Sequence, residues 1–126
     1  MHALKKLVIA LALAGMSTAV LAAPAGEAQV KAAAEGAIAK IEEAVNLVST
    51  DASNKEGIIN AINDARQLQK EFRYEGTERM RQKANDKLRV SREAFESGDT
   101  KAAEEKLKEA LANFVEMKAI YDANHK

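Results

Sequence analysis

His125 is one of only two histidines in this 126-residue chain. It stands eight residues after Met117 and four after Tyr121, in the closing stretch MKAIYDANHK. Imidazole and thioether are the axial ligands that hold haem iron, and imidazole is the commonest metal ligand in proteins. A spacing of four places Tyr121 and His125 on one face of a helix. The chemistry to weigh is therefore a cofactor or metal held at one end of a helical protein, with His125, Met117 and Met80 as the weak ligand candidates. The competing reading is a solvated tail, because His125 is the penultimate residue and helix ends fray there.

Other reactive combinations are missing. The chain has no cysteine, so it has no thiolate nucleophile and no disulfide framework. No serine–histidine–carboxylate set can be assembled around a terminal imidazole. The adjacent pairs Glu42/Glu43 and Glu104/Glu105 point about 100° apart on a helix, so neither chelates alone. A dinuclear metal bundle needs Glu-x-x-His motifs, and the sequence contains none. The expectation is no catalytic residues, no cofactor, no specific metal and a non-enzymatic role.

Charge is the most uneven feature. Residues 66 to 92 carry nine cations (Arg66, Lys70, Arg73, Arg79, Arg81, Lys83, Lys87, Arg89, Arg92) against four anions, a net of +5. Residues 27 to 51 carry two cations and five anions, a net of −3. Arg73, Arg79 and Arg81 surround an elbow with Tyr74 and Gly76. Such a cluster suits an anionic partner: a lipid headgroup, an acidic protein or a polyanion. Alternatively, the basic segment lies beside acidic helices and its charges are spent in cross-helix ion pairs. The near-cancellation of the two segments favours the second reading. Arg73, Tyr74, Arg79 and Arg81 are the residues at which a partner is expected if the first holds.

The elements that must position these groups are helices. Apolar residues recur at steps of three and four in four successive stretches. These are Val30, Ala34, Ala37, Ile41, Val45, Val48; then Ile58, Ile62, Ala65, Leu68, Phe72; then Met80, Ala84, Leu88, Ser91, Phe95; then Ala103, Leu107, Ala110, Phe114, Met117, Tyr121. Ser53 and Glu56 read as a capping box, Glu75-Gly76-Thr77 as a break, and Ser97-Gly98-Asp99-Thr100 as a glycine stop followed by a new helix cap. The pattern predicts helices over about 27–49, 54–73, 77–96 and 100–123. Short connections make consecutive helices antiparallel, so the expected fold is an all-α, up-down-up-down four-helix bundle over 23–126. Glu43-Ala44-Val45 against Glu93-Ala94-Phe95 is the kind of echo a duplicated helix pair leaves. The alanine-rich seams bury little surface, and a homodimer would add to it.

The segment before this pattern reads differently. MHALKK, then LVIALALAGMSTAVL, then LAAPA is a basic, apolar and small-residue sequence in the order of a secretory signal peptide. Its apolar run is short for a membrane span. The expectation is cleavage after Ala22, a mature form without a transmembrane span, and a periplasmic or secreted location. Removing Lys5 and Lys6 from 19 cations leaves 17 against 19 anions, a net of −2, which argues against a general nucleic-acid binder.

Two family resemblances follow. Glu96-Ser97-Gly98, Ala102-Ala103-Glu104 and Ala119-Ile120-Tyr121-Asp122 resemble the last helix of the soluble periplasmic b-type cytochromes. That resemblance implies an exported four-helix bundle with haem between a first-helix methionine and a last-helix histidine. Here Asp122 stands where the histidine belongs, and no methionine lies between Val20 and Arg79. Glu42-Glu43-Ala44-Val45 and Glu104-Glu105-Lys106-Leu107 resemble the skeleton of small periplasmic metal-binding proteins, without the histidines of that family. The leading expectation is a small exported bundle with a binding, structural or stress-protective role; the alternative is a metal or haem carrier.

Overall fold

Alanine, the strongest helix former, dominates the first element, AGEAQVKAAAEGAIAKIEEAVNLVST, and α1 runs from Ala25 to Thr50 without interruption. The structure, a computed structural model, describes residues 25–125; the signal-peptide reading over 1–22 lies outside them. Three further helices follow: α2, Lys55–Leu68; α3, Glu78–Glu96; and α4, Thr100–Asn124. Two short 3-10 turns, Gln69–Glu71 and Glu75–Thr77, connect α2 to α3. The described residues contain no strand, and the protein is all-α.

Local chemistry sets the start of α2, the end of α3 and the start of α4. Asn54, not Ser53, caps α2: its side-chain oxygen accepts the Gly57 amide at 3.0 Å. Ser53 instead donates its hydroxyl to Asp51, so the expected capping box does not form. Gly98 stops α3 with φ +92°. Its amide bonds Phe95 O at 3.1 Å and the Asp99 amide bonds Ala94 O at 2.8 Å, the two hydrogen bonds of a Schellman stop. Asp99 then caps α4 through the Ala102 amide at 3.1 Å. Gly76 has a different job from Gly98. Its φ is not positive, but a Cβ there would sit 2.9 Å from the Tyr74 ring, so the missing side chain makes room for the tyrosine.

The core follows a stricter rhythm than the apolar residues suggest. Along α1 the buried positions Val30, Ala34, Ala37, Ile41, Ala44 and Val48 alternate steps of four and three, with Ala33 buried beside them. In α4 the same alternation runs through Ala103, Leu107, Ala110, Phe114, Met117 and Tyr121. The middle segments keep it with polar members: Ile58, Ile62, Ala65, Gln69, Phe72, with Ala61 buried beside them, then Thr77, Arg81, Ala84, Leu88, Ser91, Phe95. Val45, Leu68 and Met80, expected in the seam, pack only partly buried at its edge. Ala44, Gln69 and Arg81 occupy the seam instead. A helix can turn one narrow stripe inward, and a strict 4-3 alternation holds that stripe on the partner helices, whereas successive steps of four let it drift.

Contacts are most extensive between α3 and α4 and between α1 and α2, followed by α1 with α4; α2 touches α3 more sparsely. Along α1 and α2, Gln29 bonds Glu71, Gly36 faces Leu68 and Lys40 pairs with Asp64. The α2–α3 border is polar, with Arg66 Nε donating to Asn85 at 3.3 Å and Arg92 to Asn63 at 3.0 Å.

Candidate functional site

The arginine elbow does not form one surface. Arg81 occupies a seam position, with its side chain only 11% exposed. Its guanidinium donates to Gln69 Oε1 at 2.6 Å and, through Nε, to Glu78 Oε2 at 3.2 Å; Nη2 also meets Glu78 Oε1. Gln69, itself buried, returns its amide to Arg66 O at 2.9 Å. Arg81 is thus a structural ion inside the core and is withdrawn from any surface for a partner. A guanidinium is always charged and presents a fork of donors, so burying it requires fixed acceptors on both sides, which Gln69 and Glu78 supply. The hydrogen bond from Arg81 is the main cause that holds the Glu78 carboxyl below the ordinary glutamate range, with the charges of Arg81 and Arg73 adding to it against burial.

The other three elbow residues part company. Arg73 is well exposed and 3.9 Å from Glu78. Tyr74 is half-buried and meets the Tyr121 ring edge-on at 5.3 Å. Together they line an end groove of about 510 Å³ with Glu27, Glu71 and His125. Arg79 turns instead into a different groove, of about 770 Å³, between α3 and α4.

That second groove gathers the basic charge. From α3 come Arg79, Lys83 and Lys87, spaced by four residues on one face; from α4 comes Lys106. Lys87 and Lys106 share one carboxylate, Glu109, at 3.8 and 3.5 Å, and Lys87 also donates to Asn113 at 2.8 Å. Among the described residues, Arg79 and Lys83 have no ion-pair partner, and both side chains are exposed. Asp86, the one acidic residue lining the groove, is bound by Arg89. Four cations against two engaged carboxylates, Asp86 and Glu109, leave a surface of positive potential, which attracts anions. The sequence offered a signal for it, the i, i+4, i+8 spacing of Arg79, Lys83 and Lys87, but clustering in sequence drew attention to the elbow. Lys106, from another helix, has no sequence signal.

His125 is exposed, yet it is not free. Its ring stacks on Tyr121 with centroids 3.8 Å apart and planes 14° from parallel, and Tyr74 meets it edge-on at 5.0 Å. Nδ1 lies 2.7 Å from Tyr121 O; a carbonyl only accepts, so Nδ1 carries the hydrogen and Nε2 faces away from the bond. Phe72 completes the aromatic end, 6.1 Å from Tyr121, and burial raises the Tyr121 phenol above its ordinary range. The three ligand candidates are not gathered: His125 lines the end groove, whereas Met117 is fully buried in the seam and Met80 packs against the core. Asp122, at the position of a haem histidine in the cytochrome resemblance, accepts a 2.8 Å hydrogen bond from Lys118, which holds its carboxyl below the ordinary aspartate range. Among the described residues, no three histidine or carboxylate side chains are arranged to hold a metal ion. No protein-family model, curated protein or solved structure matches the chain.

Proposed function

We propose that the chain is a small exported protein, folded as an up-down-up-down antiparallel four-helix bundle, that acts by binding an anionic partner rather than by catalysis. One observation carries the reading: Arg79, Lys83 and Lys87 converge with Lys106 on a single groove, and two of the four cations have no carboxylate partner among the described residues. An internal ion-pair network would have used them. The ion pairs that cross between helices are Lys40–Asp64 and, within the groove itself, Lys87–Glu109, which leaves Arg79 and Lys83 unpaired among the described residues. The binding surface is accordingly the α3–α4 groove, with Arg79 the one member of the arginine elbow that takes part. The contact order along α1 and α2, in which Gln29, Gly36 and Lys40 meet Glu71, Leu68 and Asp64, supports the antiparallel arrangement.

Retention on an immobilised polyanion across a salt gradient tests the binding. The triple variant Arg79→Gln, Lys83→Gln, Lys87→Gln, with helicity checked by circular dichroism, is expected to elute at distinctly lower salt, because each neutralised cation reduces the salt dependence of binding. Equal elution of both proteins, or no retention of the native chain at low salt, refutes the reading. Export is tested separately: protein recovered outside the cytoplasm is expected to begin at Ala23.

A further inference from the structure

We infer that the α3–α4 groove takes a linear polyphosphate, laid along α3, as its ligand; this rests on the anion-binding reading above and names its chemistry. Arg79, Lys83 and Lys87 follow one another down a single helix face, and eight residues at 1.5 Å each span about 12 Å. Lys106 closes on them from α4. The positive charge therefore forms a line along an open groove, and a line of charge matches an extended anion better than a single compact one. Val115, the large apolar side chain left exposed among the described residues, is nine residues from Lys106 and so on the opposite side of α4; it offers no apolar anchor beside the cations.

The chemistry of the walls narrows the ligand further. Arginine and lysine side chains donate hydrogen bonds and accept none. Besides its four cations the groove offers only Gln82, Val90 and Asp86, and Asp86 is engaged by Arg89. A ligand that fits is rich in acceptors, poor in donors and densely charged. Polysaccharides carry hydroxyl donors and apolar ring faces; the groove has no aromatic platform for those faces, and its acceptors are limited to Gln82 and Asp86. Single-stranded nucleic acid binds by stacking bases on aromatic rings, and none of the groove residues is aromatic. A phosphoanhydride chain presents anionic oxygens along its whole length. Arg79 grips it with a planar fork suited to phosphate, and the three lysines act as point charges along it.

The test measures binding of the full chain to inorganic polyphosphate of medium length, pyrophosphate, orthophosphate, heparin and anionic phospholipid vesicles by titration at fixed low salt. Polyphosphate is expected to bind at least about tenfold more tightly than pyrophosphate, since the short anion meets only part of the line. Lys83→Gln and Arg79→Gln are each expected to weaken polyphosphate binding several-fold, whereas Lys31→Gln on α1 and Lys55→Gln at the start of α2, both exposed, leave it unchanged. Equal binding of polyphosphate and pyrophosphate overturns the ligand assignment. So does tighter binding of heparin or vesicles that is lost in the same groove variants, although the anion-binding reading then stands. If none of these anions binds at low salt, both readings fall.

Discussion

Replacing Arg81 tests whether a buried ion holds this core in register. In the folded chain its guanidinium satisfies Gln69, which is 2% exposed, and Glu78, whose side chain remains 30% exposed. Arg81→Ala leaves the Gln69 carbonyl buried without its donor, a cost of about 1–3 kcal/mol. Glu78 can recover water, so its loss is smaller than the roughly 3–5 kcal/mol of breaking a fully buried pair. Removing the aliphatic stem from the seam adds a further loss of packing. A total of about 2–4 kcal/mol follows, a large share of the roughly 5–15 kcal/mol that stabilises a domain. Urea denaturation followed by circular dichroism at the helical band measures it. The double variant Arg81→Met, Gln69→Leu removes the buried charge and the orphaned amide together and leaves Glu78 to solvent; apolar replacement of a buried network is neutral or stabilising by about 1–4 kcal/mol, so this variant is expected to recover most of the loss. A cost below about 0.5 kcal/mol for Arg81→Ala, or strict additivity of Arg81→Ala with Gln69→Ala, would show that the network is not formed.

Four shorter predictions accompany it. Gly98→Ala, at φ +92°, destabilises by about 1–2 kcal/mol through backbone strain alone, measured in the same urea assay, because open space surrounds the site. Phe114→Ala, at a fully buried position, costs about 3–5 kcal/mol and shifts the melting curve accordingly. Ser91→Ala changes stability by less than about 1 kcal/mol, since the buried hydroxyl only donates back to Leu88 O at 2.7 Å; a larger loss in thermal melting would reveal a partner for Ser91. Finally, the folded Glu78 carboxyl titrates below its ordinary value, so on acidification the unfolded chain takes up that proton first. Its stabilisation is present above about pH 4.3 and is lost as the pH falls below it; Glu78→Gln is expected to flatten that part of the pH–stability curve, and an unchanged slope refutes the assignment.

The amino-acid order alone determined the class of structure. Four runs of three-and-four spacing, separated by the capping residues from Ser53 to Glu56, by Gly76 and by the Ser97-Gly98-Asp99 stop, admit little besides successive helices, because helix periodicity, caps and glycine stops are local physics. The buried faces of α4 and of most of α1 were legible for the same reason. Four seam positions were not: Thr77, which the sequence reads as part of a break, and three others. At each fork between adjacent residues, hydropathy selects Val45, Leu68 and Met80, whereas the fold buries Ala44, Gln69 and Arg81. A side chain's own hydrophobicity is a local quantity, but which of two neighbours turns inward depends on the register shared with facing helices, and a polar residue can be buried only if another segment meets its hydrogen bonds. Gln69 and Arg81 meet each other's needs across the turn between α2 and α3, and neither residue announces that alone. The groove is a consequence of the same assembly. Burying Arg81 and sending Arg73 to the other groove dissolves the elbow that charge counting suggested, and the approach of α4 brings Lys106 opposite Arg79, Lys83 and Lys87, a neighbourhood fixed only when the two helices pack.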